Sequence, residues 1–155
     1  MTDREIPQLE EVRHLQHVCL AAELRSAARA ATKFYTDRLT DSPIGVAQLA
    51  LLMRLYLLGE VNMVKLAQEV EVDRTTIARN VELLKRDGFV QVTEAEDRRL
   101  RLVKLTDAGV ATLKETIPKW QQAQAALLAE IGASTWRNLM HDLRSVAQVE
   151  QKSSS

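Results

Sequence analysis

Apolar residues recur along this chain at helical spacing, and the period changes once, shortly after the middle. From about Leu9 to Leu39 the pattern predicts one long helix. Leu15, Val18, Ala22, Arg25 and Arg29 run along it, and Ala21, Ala27, Ala28, Ala30 and Ala31 raise its helix propensity. Asp41-Ser42-Pro43 punctuates the chain as a cap followed by a proline suited to a first turn. A second helix is expected from Ile44 to Leu58, with Leu49, Leu52, Met53, Tyr56 and Leu57 deeply packed and Gly59 at its end in a left-handed conformation.

The stretch from Asn62 to Val90 reads as two short helices joined by a tight turn. Asn62 caps the first, which turns Leu66, Ala67 and Val70 inward, and Asp73 caps the second. The second helix keeps Ile77, Val81 and Leu84 on one apolar stripe. At about 100° per residue, Thr75, Arg79 and Arg86 lie opposite that stripe, with Arg74, Thr76 and Asn80 on the flanks. One side can dock on a core, and the other offers the donors that a helix in a DNA major groove requires.

After Gly88 the period becomes that of a strand. Phe89, Val90 and Val92 form one short strand, Glu94 to Arg99 a charged tip, and Leu100 to Leu105 a second strand expected to bury Leu100, Leu102 and Leu105. Two antiparallel strands directly after a helix-turn-helix form a wing. Thr106-Asp107 then opens a long helix to about Ile131, with a kink expected near Ile117 because Pro118 removes a backbone donor. Gly132 and Ser134 separate it from a last helix carrying Trp136, Leu139, Leu143 and Val146 on one stripe. The fold class is mainly α with a small β-wing.

Composition restricts this picture without redirecting it. The 155 residues are 46% hydrophobic, enough for a core, and only 4% aromatic, so Leu, Val, Ile and Ala must fill it. Net charge is zero, which by bulk criterion disfavours a nucleic-acid partner. From Asp73 to Lys104 eight Lys/Arg face six Asp/Glu, a local balance of +2, so any DNA contact rests on placement rather than total charge. Residues 1–18 are polar and charged rather than signal-like, no apolar run is long enough for a membrane span, and the one cysteine cannot form an intrachain disulfide. A cytoplasmic protein with no membrane partner and no cofactor is expected. No phosphate loop, catalytic triad or carboxylate pair is legible, so an enzyme is not expected.

The phrases DRTTIARNVELLKRDGFV and DRRLRLVKLTDAG, bracketed by long helices, resemble the MarR family of bacterial transcriptional regulators over roughly Leu9 to Val149. Asp97-Arg98-Arg99, followed by Leu105-Thr106 and Gly109, is the most diagnostic part. The resemblance implies a winged helix-turn-helix flanked by N- and C-terminal dimerisation helices: residues 1–43, a DNA-binding lobe at 44–106, and 107–155, together a single structural domain. It implies a homodimer on a pseudo-palindromic double-stranded operator, acting as a repressor released by a small aromatic or anionic effector.

Within that frame Thr75, Thr76 and Arg79 are placed to reach base edges, Arg79 as a fork onto guanine, with Asn80 a candidate for adenine. Arg74, with the helix N-terminus, is a candidate phosphate holder. Arg99 is the candidate for the minor groove, Arg98 the alternative tip residue, and Asp97 would orient Arg99, as the family's Asp-x-Arg pattern implies. Without the recognition helix these three would read as a solvated turn. Gln91, Val92 and Thr93 stand where many relatives carry arginines, which predicts a shallow salt dependence.

If the family's effector pocket is present, its candidate liners are His14, Met53, Tyr56 and Trp120, with Arg25 or Arg54 for a carboxylate; core packing is the competing role for the apolar ones. Cys19 occupies a place similar to the reactive cysteine of the hydroperoxide-sensing branch, which makes a redox-sensing repressor the alternative. Glu23 four residues on opposes a low thiol pKa, His17 favours one, and a small buried hydrophobe is the simpler role. His14 and His17 with Glu10 share a helix face, but HxxH alone reads as polar helix surface, and no metal site is assigned. A protein-interaction adaptor that has lost DNA binding is the remaining alternative, supported by the neutral charge.

Overall fold

The computed structural model describes residues 9–94 and 101–153, without the side chains of residues 11, 14, 16, 17 and 150–153. Its compact units divide between Phe34 and Tyr35. The first holds α1 (Leu9–Val18) and most of α2 (Leu20–Arg38). The single long helix expected here is interrupted at Cys19, whose carbonyl accepts from the amides of Ala22 and Glu23 and so starts a new helical ladder. Among the described side chains nothing explains the interruption.

In the second unit, α3 (Val46–Leu58) starts two residues later than its sequence predicts. Its cap is Gly45, whose amide donates to Gln48 Oε1 at 3.0 Å, and Pro43 therefore precedes the helix rather than entering its first turn. Ser42 is engaged elsewhere: its hydroxyl is hydrogen-bonded to the fully buried Thr116 Oγ1 at 3.0 Å. Lys119 Nζ donates to the Asp41 carbonyl at 2.7 Å, so the segment before α3 is pinned on the long helix that carries Thr116 and Lys119. Leu49, Leu51, Leu52 and Leu55 fill the core, but Tyr56 and Leu57 are 62% and 75% exposed, contrary to the deep packing expected of them. A helix apolar on every side cannot bury all of itself against one layer.

Val61 and Asn62 form a two-residue strand, β1, too short to leave a period in the sequence. Asn62 also caps α4 (Met63–Glu69) through Lys65 N at 2.8 Å, as expected. Then come α5 (Arg74–Arg86), β2 (Val90–Glu94), β3 (Arg101–Leu105), α6 (Asp107–Ile131) and α7 (Ala133–Ser153). The sheet order is β1-β3-β2, all antiparallel, with Val103 facing both Val61 and Val92 and Leu105 facing Val90. This register corrects the expected inward face of β3. Val103 is fully buried while Leu102 is only partly covered, because Val103 lies on the central strand between two valine neighbours, and strand side chains alternate.

The core joins Leu49, Leu52 and Leu55 of α3, Leu66 of α4, Ile77, Val81 and Leu84 of α5, Val103, and Leu113 of α6. The helix α6 is continuous through Pro118, which is exposed. Gly132 ends α6, and the Trp136 amide returns to its carbonyl to open α7.

Candidate nucleic-acid interface

The turn between α4 and α5 is built from backbone bonds. Glu71 N donates to Gln68 O at 3.2 Å and Val72 N to Ala67 O at 3.1 Å, closing α4 with Glu71 at φ +53°. Asp73 then starts α5. Its Oδ1 accepts from the amides of Thr75 at 2.8 Å and Thr76 at 2.9 Å, and its Oδ2 accepts from the Thr76 hydroxyl at 2.6 Å. The Thr76 hydroxyl, and then the amide bonds, hold the Asp73 carboxyl below its ordinary pKa.

With Ile77, Val81 and Leu84 buried, the rotation of α5 is settled, and Arg74, Thr75, Thr76, Arg79 and Arg86 are all exposed. Asn80 is half-buried at the edge. Among the described residues Arg74 and Arg79 form no ion pair, whereas Arg86 Nε reaches Asp87 Oδ1 at 3.1 Å. The cap that the sequence predicts has a consequence for this face, and the face carries a hollow that the sequence does not show. The amides of the first turn are already occupied by Asp73, so a phosphate held by Arg74 would meet an N-terminus carrying a carboxylate. Arg79, Glu82, Leu83 and Arg86 also line a hollow of about 290 Å³ on the solvent side, which gives the outward-pointing Leu83 a place.

The strands β2 and β3 stand next to α5 in sequence and pack on it through β2. The tip residues Asp97, Arg98 and Arg99 lie outside the described residues, as does Leu100.

The expected effector liners fall in different places. Met53 and Trp120 are partly buried against the core, Tyr56 is exposed, and Arg54 lies 3.8 Å from Glu69, an ion pair between α3 and α4. Arg25 is exposed on α2 in the first unit, and the side chains of His14 and His17 lie outside the description. Cys19 is exposed. A second hollow of about 260 Å³, unforeseen from sequence, is lined by Arg38, Lys119, Gln122, Ala123 and Ala126. Among the described residues no helix is long and apolar enough to cross a membrane.

Known proteins share this arrangement. The MarR family model matches residues 44–100, the span from the start of α3 into the wing. The DNA complex of the Mycobacterium tuberculosis transcriptional regulator MosR superposes with a TM-score of 0.78 and 31% identity, over 86% of this chain and 97% of that one. The HTH-type transcriptional repressor NicR of Pseudomonas putida is 27% identical over 143 residues, 92% of this chain and 85% of NicR. BpsR of Bordetella bronchiseptica, whose DNA binding is regulated by 6-hydroxynicotinic acid, shares the fold at a TM-score of 0.76 and 23% identity, over 85% and 95% of the two chains.

Proposed function

The chain belongs to the MarR family of transcriptional regulators, and from that premise we propose that it is a dimeric repressor of duplex DNA released by a small effector. The observation that carries the DNA reading is the exposed face of α5. Thr75 and Arg79 stand opposite the buried Ile77, Val81 and Leu84, on a helix whose start is held by Asp73. Arg79 is long enough to fork onto a guanine edge, and Thr75 lies one turn nearer the helix start, where base edges are reached. Arg74 contacts phosphate from the flank. Arg99, oriented by Asp97, enters the minor groove, with Arg98 the alternative tip residue.

The homodimer is supported by apolar side chains left open in a single chain. On α1, Leu9, Leu15 and Val18 are 66%, 57% and 61% exposed, and on α7 Leu139 and Leu143 are 43% and 37% exposed. Rows of this kind on terminal helices mark an association surface. A two-fold dimer sets the two α5 helices about one duplex turn apart, roughly 34 Å, and so reads a pseudo-palindrome. Repression has a precedent in NicR, and an aromatic anionic effector has one in BpsR. Action on chromosomal DNA places the protein in the cytoplasm.

The test is selection of a duplex from a random pool, followed by mobility shift with Arg79→Ala and Arg99→Ala. Both variants should remain dimeric and bind the selected duplex clearly more weakly than wild type. Normal binding by both would overturn the residue assignment. Selection of no duplex at any salt concentration would favour the adaptor instead.

A further inference from the structure

The sequence phrase Leu105-Thr106-Asp107-Ala108-Gly109 has no part in the proposed DNA contacts, yet it makes a close backbone junction with Gly88 and Phe89. Thr106 sits where β3 hands over to α6. Its hydroxyl accepts from the Gly109 amide at 3.0 Å, which caps α6, and donates to the Gly88 carbonyl at 2.7 Å. Its own amide donates to the Phe89 carbonyl at 3.1 Å. Gly109 is buried, and a Cβ there would lie 2.1 Å from Phe89 O, so only glycine lets the first turn of α6 seat on residue 89.

Gly88 and Phe89 are the residues by which the chain leaves α5. Their amides turn back to Lys85 O at 3.0 Å and Leu84 O at 2.9 Å, and Gly88 adopts φ +80° to allow it. Their carbonyls go to Thr106. The end of α5 is therefore bonded to α5 through its N–H groups and to the start of α6 through its C=O groups.

We propose that Thr106 and Gly109 form a clasp that positions the recognition helix against α6, with Thr106 a positioning residue for DNA binding. This rests on the DNA reading above. Asp73 secures the first turn of α5 and the clasp secures its last, so the angle at which Arg79 meets a base edge is set from both ends. A helix anchored only at its start would retain its fold and lose its aim.

The clasp can be separated from ordinary helix capping. Aspartate at position 106 still accepts from the Gly109 amide but, as a carboxylate, cannot donate to Gly88 O. Serine does both. Binding to the duplex selected by the wild-type protein is measured well below the melting temperature, with amide hydrogen exchange at Phe89 and Val90 followed in parallel. Thr106→Asp should stay folded at the assay temperature with a modestly lowered melting temperature, bind about tenfold more weakly and exchange faster at Phe89. Thr106→Ser should restore both. An Asp variant with wild-type affinity and wild-type exchange would overturn the clasp. If the wild-type protein selects no duplex, the DNA reading fails, and exchange alone decides whether Thr106 holds the end of α5. Should Thr106→Asp fail to fold, Thr106→Val takes its place, judged by exchange in the folded protein and by its contrast with Ser.

Discussion

The Thr76 hydroxyl donates to Asp73 Oδ2 at 2.6 Å, across the first turn of α5. A side chain that the sequence offers to DNA is thus committed to the helix cap, and its amide is committed too, to Asp73 Oδ1. Under the proposed DNA reading, the base-reaching role at the helix start falls first to Thr75, whose hydroxyl is not part of the cap. Removing the Thr76 hydroxyl as Thr76→Val should move the Asp73 titration, followed by carboxyl NMR, up toward its ordinary value, because that hydroxyl is the leading cause of the depression. An unchanged titration would show that the amide bonds alone hold it.

The same cap has a pH signature. Asp73 is depressed on folding, so its contribution is fully present above its unfolded pKa of about 3.9 and is lost as pH falls through the lower folded value. Thermal melting of wild type should therefore drop through that acidic window more steeply than that of Asp73→Asn, which keeps an acceptor without a titratable charge. Parallel pH profiles for the two proteins would contradict this.

Glu71 closes α4 at φ +53°, a conformation that costs a residue with a Cβ roughly 1 kcal/mol. Glycine removes that cost and returns part of it in unfolded-chain entropy. Glu71→Gly should raise stability by a few tenths of a kcal/mol, to about 1 kcal/mol, read as a shift of the urea midpoint. A lower midpoint would mean that the Glu71 side chain contributes something its exposed position does not reveal.

Gly109→Ala is the opposite case. The added methyl would lie 2.1 Å from a backbone carbonyl, with Leu105 Cδ2 at 3.2 Å on another side, and a backbone atom cannot move aside as a side chain can. The loss should be about 3 kcal/mol, measured by denaturant unfolding. A loss below about 1 kcal/mol would show that α6 shifts to accommodate the methyl.

Arg79 and Arg74 should differ in kind. Arg79→Ala is expected to cost about 1–3 kcal/mol and to relax sequence preference at one position. Arg74→Ala should weaken all duplexes alike and lower the salt slope by about one. Binding to the selected duplex and to single-base variants, across a salt series, distinguishes the two. Loss of sequence preference in the Arg74 variant would exchange their roles.

Much of the recognition helix was legible because its cause is local. Ile77, Val81 and Leu84 recur at the helix period, and Asp73 and Asn62 are cap residues in front of apolar runs, so burial and capping both follow the sequence. Elements whose cause is not local were harder to read. Val61 and Asn62 are a strand only because β3 lies beside them, and Val103 faces the core only because β3 is the central strand. The alternation around Val103 allowed either face inward, and two neighbouring valines decided it.

The sequence by itself determined the helical class, the caps of α4 and α5, the strand pair after Gly88 and the polar face of α5, because each depends on residues within a turn or two of one another. Only the tertiary structure decided what the phrase from Thr106 to Gly109 is for. A threonine and a glycine three residues apart read as a helix start. Their partners, the carbonyls of Gly88 and Phe89, lie on the far side of the wing, at a distance in sequence that no local period encodes.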